Sequence, residues 1–237
     1  MKILAHRGAS GTAPENTISA FKKALLDGCD GFEFDVQQTK DGKIVVFHDW
    51  TLERTTNGEG HIKDHTLEEL KKLDAGSWFD EKFKGEPIPT LEETLDLIPD
   101  DKIINIELKE EYSIERGTEK LVLDIMRKYP TKNIIVSSFS HNLLKTLKDL
   151  DSSIKIGLLS GNTLVNLDKY IDNLGFQIDA YHPYAGILSK NDIDYLKSQN
   201  IDINVWTVNS SKEAEFLKEL GVTSIITNFP KEITSNK

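Results

Sequence analysis

Glu33 and Asp35 stand two residues apart in a run of strand formers, Gly31-Phe-Glu-Phe-Asp-Val36, so their side chains leave the same face of one strand. Asp41-Gly42 suits backbone positions with φ > 0 and folds a second strand, residues 43–48, back along the first, bringing His48 to the neighbourhood of Glu33. Further groups of the same chemistry close other apolar runs. His6 and Arg7 end the first one; Asn105, Glu107 and Lys109 alternate along one face of residues 103–109; Trp206 comes late in residues 203–208. Carboxylates, imidazoles and cations drawn from separate segments to one patch are the layout of a site.

Three acidic groups in a confined space repel one another, and a divalent cation removes the conflict. Ligation by Glu33, Asp35 and Glu107 is all-oxygen and suits a hard ion, Mg²⁺ or Ca²⁺. If His6 or His48 joined the ligands, Zn²⁺ or Mn²⁺ would fit, but those imidazoles could then no longer shuttle protons. Arg7 offers a planar fork of donors and Lys109 a point charge, as a phosphate requires. Two histidines at one phosphorus act as general base and general acid, each worth roughly 10²–10⁴-fold in rate. These parts describe metal-assisted cleavage of a phosphodiester.

The elements that must position them alternate from end to end. Strands are expected at 3–6, 31–36, 103–109, 134–139, 155–159, 180–183, 203–208 and 224–228, with 43–48 as an additional hairpin strand. Helices fall between them. Asn16 or Thr17 opens one whose apolar face is Ile18, Phe21 and Leu25 and which ends at Gly28. Thr66-Leu-Glu-Glu69, Thr90-Leu-Glu-Glu93 and Ser210-Ser-Lys-Glu213 each match the capping box, and Gly175 and Gly221 sit where a C-terminal cap belongs. Eight strand-then-helix units predict a TIM-type (β/α)8 barrel with the active site at the C-terminal ends of its strands, an open doubly wound sheet being the alternative. Residues 51–89 interrupt the alternation and are expected as a small insertion over the mouth of a single domain spanning 1–237, with Trp78, Phe79 and Phe83 as its own core. The tail after Pro230 is expected to fray.

Composition narrows the function. With 29 basic against 39 acidic residues the formal charge is -10, which argues against a general nucleic-acid binder and for local recognition of an anionic small molecule. The one cysteine, Cys29, rules out a disulfide framework. No stretch approaches the ~20 apolar residues of a membrane span, and the first strand begins almost at Met1, so a soluble cytoplasmic protein is expected.

His6-Arg7-Gly8, Pro14-Glu15-Asn16-Thr17, Glu33-Phe-Asp35, His48-Asp49, Arg54-Thr55-Thr56, Pro89-Thr90-Leu91, Glu107-Leu-Lys109 and Trp206-Thr-Val-Asn209, in that order, resemble the successive signatures of glycerophosphodiester phosphodiesterases. The resemblance implies that His6 and His48 are the acid/base pair, that Glu33, Asp35 and Glu107 bind the metal, and that the substrate is a deacylated phospholipid head such as glycerophosphocholine, cleaved to glycerol 3-phosphate and an alcohol. One departure stands out: Asn228 occupies a position where the family usually has Asp. Alternatives from other classes are a phosphodiesterase acting on lysophospholipids and a non-catalytic barrel that binds a phosphorylated ligand.

Other residues have plainer readings. His61, His65 and His141 read as ordinary histidines, and His182 is undecided. Residues 15–17 read equally as a helix cap or as part of the site, and Lys109 as an ion-pair partner of Glu107 or as a phosphate ligand. Trp206 reads as core packing or as a face for a glycerol or choline-like group. Cys29 precedes the second strand, at the end of the barrel away from the site.

Overall fold

The structure, a computed structural model, describes residues 1–109 and 117–234. Nine strands alternate with helices: β1 (Lys2–His6), α1 (Ile18–Leu26), β2 (Gly31–Gln38), β3 (Ile44–Val46), α2 (Leu67–Leu70), α3 (Leu91–Leu97), β4 (Ile103–Leu108), α4 (Thr118–Met126), β5 (Asn133–Ser138), α5 (His141–Leu150), β6 (Ile156–Ser160), α6 (Leu167–Asp172), β7 (Ala180–Pro183), α7 (Lys190–Ser198), β8 (Asp202–Val205), α8 (Ser211–Leu220), β9 (Ser224–Thr227) and α9 (Pro230–Thr234). Eight of the strands run parallel, and β1 pairs with both β2 and β9, which closes the ring as expected and excludes the open sheet.

The ninth strand, β3, lies outside the ring. β2 pairs with β4 along residues 31 to 36 on one edge. On its other edge it pairs first with β1, ending at His6↔Glu33, and then antiparallel with β3 from Val36↔Val46 to Gln38↔Ile44. The hairpin therefore continues the barrel wall beyond the point where β1 stops, and this carries His48 to the mouth.

Strand β2 has every residue from Gly31 to Gln37 buried, as a strand covered on both faces must. Its alternation divides the work. Phe32 and Phe34 point outward to Phe21 of α1, with ring centroids 5.9 and 5.4 Å away in edge-on contact, while Glu33 and Asp35 point the other way. Helix α1 starts at Thr17, whose side chain accepts from the Ala20 N–H. Thr66 and Thr90 form the expected reciprocal capping boxes, and Gly221 caps α8 in the left-handed region at φ 77°. Ser210 precedes α8 but makes no side-chain capping bond, so the third box is absent although its residues match.

Two further expectations are corrected. The insertion's core is aliphatic, built on Leu52, Ile62, Leu70 and Ile88 with Val45 and Phe47 of the hairpin segment. Trp78, Phe79 and Phe83 stack edge-on at 5.6 and 5.9 Å outside that core, with Trp78 39% exposed and the indole N–H donating to the Ala75 carbonyl at 2.8 Å. The tail folds rather than frays as far as Thr234: α9 buries Ile233, and the Thr234 hydroxyl donates to the Asp27 carbonyl.

Phe21 is wholly buried between α1 and β2. Phe21→Ala is expected to lower unfolding stability by about 3–5 kcal/mol in urea titrations. A loss under 1 kcal/mol would mean that α1 does not hold the outer face of β2.

Candidate active site

The mouth is assembled on the turn that follows β1. The chain reverses at Arg7 and Gly8, both in the left-handed region at φ 55° and 81°, and a Cβ on Gly8 would lie 2.7 Å from the backbone carbon of Ala20. This reversal lets the Arg7 amide donate to the Glu33 carbonyl at 2.7 Å and the Asn16 amide donate to the Arg7 carbonyl at 3.0 Å. Asn16, itself at φ 57°, donates its side-chain amide to Asp35 Oδ2 at 3.0 Å. The loop between β1 and α1 is thereby fixed around two carboxylates of β2.

Glu33, Asp35 and Glu107 each place a carboxylate oxygen within 4.8 Å of the others. Pairing of Asp35 with Glu107 across β2 and β4 sets two of them side by side, and the inward face of β2 supplies the third. Glu33 and Glu107 line a cavity of about 240 Å³ together with the polar His6, Arg7, His48 and Asn105 and the apolar Phe139, Leu159, Trp206 and Ile226. His6 Nε2 lies 3.8 Å from Glu33 Oε2, and His48 Nε2 lies 4.0 Å from Asp35 Oδ1. Each imidazole thus sits beside a different carboxylate, and His48 faces Asp35 and not Glu33 as the hairpin alone implied.

The Nδ1 atoms are both engaged. His6 Nδ1 is 2.6 Å from Asn228 Oδ1, which also accepts from the Ser10 hydroxyl, and His48 Nδ1 is 2.6 Å from Asp49 Oδ1. An amide oxygen and a carboxylate can only accept, so both rings carry their proton on Nδ1 and turn the Nε2 lone pair inward. Asn228 therefore orients His6 without contributing a charge. Burial, with Arg7 nearby, lowers His6 to about 4. Burial also lowers His48, opposed by Asp35.

The three carboxylates differ sharply. Burial, followed by the charges of Asp35 and Glu107, lifts Glu33 well above the carboxylate range. Burial and Asp35 push Glu107 up to about 7. Burial pulls on Asp35 too, but Arg7, Lys109 and His48 outweigh it and hold the group at about 2. Arg7 Nε lies 3.4 Å from Asp35 Oδ2, and Lys109 Nζ lies 3.7 Å from Asp35 Oδ1 and 3.4 Å from Glu107 Oε1. Two fixed cations are too few for three buried anions, and all-oxygen donors this close fit one hard divalent ion. The buried Arg7 Nε makes no hydrogen bond and meets Asp35 as an ion pair only.

Several groups were not legible as partners. Glu15 is no helix cap. It accepts from Arg7 Nη1 at 2.8 Å and from both terminal nitrogens of Arg54. Trp206 is neither plain core nor free. Its indole N–H donates to the His182 carbonyl at 2.8 Å while the edge-on rings of Phe139 and Tyr184 brace it at 5.5 and 5.4 Å. His182 is fully buried, held to about 3 by burial, and 2.9 Å from the Asn204 amide nitrogen, which makes it a neutral core residue. Cys29 is buried, with its thiol pushed up to about 12 by burial, and is no nucleophile.

The family model described as "Glycerophosphoryl diester phosphodiesterase family" matches residues 6–232. The chain belongs to this family. A glycerophosphodiester phosphodiesterase of Caldanaerobacter subterraneus subsp. tengcongensis is 43% identical over 98% of this chain and 95% of its own, and one of Bacillus altitudinis is 40% identical over 97% and 95%. The solved phosphodiesterase of Oleispira antarctica, in complex with the product sn-glycerol-3-phosphate, is 30% identical, with a TM-score of 0.93 over 99% of this chain and 96% of its own. Membership makes the chain an enzyme, a glycerophosphodiester phosphodiesterase, and sets aside the non-catalytic barrel. Among the described residues no helix is long and apolar enough to cross a membrane.

The charge conflict has a sign that can be measured. The folded phosphodiesterase keeps on Glu107 a proton that the unfolded chain releases near 4.5, up to about 7. The contribution of Glu107 is therefore full below about 4.5 and lost as pH rises through about 7, a change on the order of 3 kcal/mol that opposes the gain over the same range from the buried neutral His6 and His182. In thermal melts with chelator present, Glu107→Gln should gain on the parent as pH rises from about 4.5 to 8 and melt higher than it at pH 8. Parallel curves for the two proteins would contradict the repulsion.

Proposed function

We propose that the enzyme hydrolyses glycerophosphodiesters, such as glycerophosphocholine or glycerophosphoethanolamine, to sn-glycerol 3-phosphate and an alcohol. It does so with one divalent cation, Mg²⁺ or Ca²⁺, held by Glu33, Asp35 and Glu107, and with His6 and His48 as the proton-transfer pair. The observation that carries this reading is that both imidazoles, each locked through Nδ1, turn Nε2 toward the same carboxylate cluster beside the Arg7 guanidinium. Residues 1–237 are read as one barrel domain carrying the 51–89 insertion. The likeness to a relative crystallised with sn-glycerol-3-phosphate supports the product.

When bound, the cation supplies positive charge to the phosphoryl oxygens as negative charge builds on them. Arg7 and Lys109 would supply fixed positive charge to the phosphate, Arg7 lining the cavity and Lys109 standing beside Asp35 and Glu107. His6 is kept neutral by burial and by a partner that carries no charge, so its Nε2 takes the proton of the attacking oxygen, either of water directly or of the neighbouring glycerol hydroxyl with water then opening the cyclic phosphate. His48 is backed by the Asp49 carboxylate, which stabilises the imidazolium formed when Nε2 takes up a proton, and it is that Nε2 proton which passes to the departing alcohol. Trp206, braced by Phe139 and Tyr184, offers an apolar wall to the organic group.

Release of glycerol 3-phosphate from glycerophosphocholine tests the reading. Excess chelator is expected to suppress turnover, with Mg²⁺ or Ca²⁺ restoring it, and the restoring ion should raise the melting temperature of the parent but not of Glu33→Gln. His6→Ala and His48→Ala should each lose about 10²–10⁴-fold in kcat. Undiminished turnover in either variant would refute the role given to that histidine, and faster turnover of a lysophosphatidylcholine than of glycerophosphocholine would refute the substrate class.

A further inference from the structure

Arg54 reaches two carboxylates at once. Its Nε and Nη2 donate to Asp49 Oδ2 and Oδ1 at 2.5 and 3.0 Å, and its Nη1 and Nη2 donate to Glu15 Oε2 and Oε1 at 2.9 and 2.7 Å. Neither carboxylate ends there. Glu15 Oε1 also accepts from Arg7 Nη1, and Asp49 Oδ1 also accepts from His48 Nδ1. A continuous chain of hydrogen bonds thus runs His48–Asp49–Arg54–Glu15–Arg7, from one of the two histidines to the arginine paired with Asp35.

The three links come from two segments far apart in the chain. Glu15 lies between β1 and α1, Asp49 follows β3, and Arg54 lies at the start of the insertion. The backbone under Arg54 is anchored by Leu52, whose side chain is fully buried in the insertion's core and whose carbonyl accepts from the Thr56 amide. We propose that Arg54 is a positioning residue through which the insertion sets the orientation of both His48 and Arg7. The proposal rests on the reading above, in which those two groups act on the phosphodiester.

Physical chemistry singles out Arg for this task. Five N–H groups in one rigid plane can satisfy four carboxylate oxygens at fixed angles, whereas a Lys ammonium on a flexible stem can hold one carboxylate while the other swings free. The Arg54 side chain is 46% exposed, so its ion pairs contribute little to global stability. Its value lies in geometry. A displacement of about 1 Å in a reacting group costs about 10²-fold in rate.

The test is a pair of double-mutant cycles on the cation-loaded enzyme, with His48→Ala as the control for the reading on which the proposal rests. Arg54→Ala and Arg54→Lys should each lower kcat/KM about 10–100-fold with the melting temperature within about 2 °C of the parent. In the Asp49→Asn background, Arg54→Lys should lower kcat no further than about twofold, and in the Glu15→Gln background it should raise KM no further than about twofold. Full multiplicative losses in both backgrounds would mean that Arg54 acts directly on substrate, and they would overturn the proposal. A melting temperature lowered by more than about 5 °C in Arg54→Lys, with activity recovered on cooling, would show a merely structural role and overturn it equally. If His48→Ala kept full activity, the assignment of His48 would fail by itself, and the KM cycle through Glu15 and Arg7 would still decide the proposal.

Discussion

Three carboxylates within 4.8 Å of one another, nearly sealed from water, form the constraint to which the rest of the structure answers. Left alone such a cluster would hold protons, and Glu33 and Glu107 are displaced in that direction while Asp35 is kept charged by Arg7 and Lys109. The arrangement is costly to stability and useful only if a positive species completes it. The two fixed cations serve two purposes under this view. They keep Asp35 ionised, and they offset part of the charge of its two neighbours.

The barrel can bear this cost because its strands separate packing from chemistry residue by residue. In β2 the phenylalanines that bind α1 alternate with the acids that face the mouth, so neither set can be changed without the other feeling it through the same backbone. The extra strand extends the wall past the end of β1 and lifts His48 over Asp35. The left-handed turn at Arg7 and Gly8 leaves His6 beside Glu33. Each imidazole meets its carboxylate because of a local backbone feature: one a hairpin, the other a reversal.

Features confined to one strand or one helical turn were legible before any coordinates. The two-residue spacing of Glu33 and Asp35, the alternation of Asn105, Glu107 and Lys109, and the capping boxes at Thr66 and Thr90 all depend on neighbours a few positions away. Pairs joined only by folding were not. Asn228 meets His6 across 222 positions and Arg54 meets Glu15 across 39, and no periodicity marks either. Even local patterns can mislead, since Ser210 carries the right residues without the bond. The aromatic residues of the insertion misled differently: hydrophobicity marked Trp78, Phe79 and Phe83 for a core, but the enclosed space had gone to aliphatic side chains.

Diffraction from crystals soaked in Ca²⁺ tests the central claim most directly, because the anomalous signal locates the ion without reference to activity. The account predicts one ion bound by oxygens of Glu33, Asp35 and Glu107 at about 2.3–2.6 Å. An ion bound elsewhere, or a cluster that stays free of Ca²⁺ at a pH above 7, would contradict it.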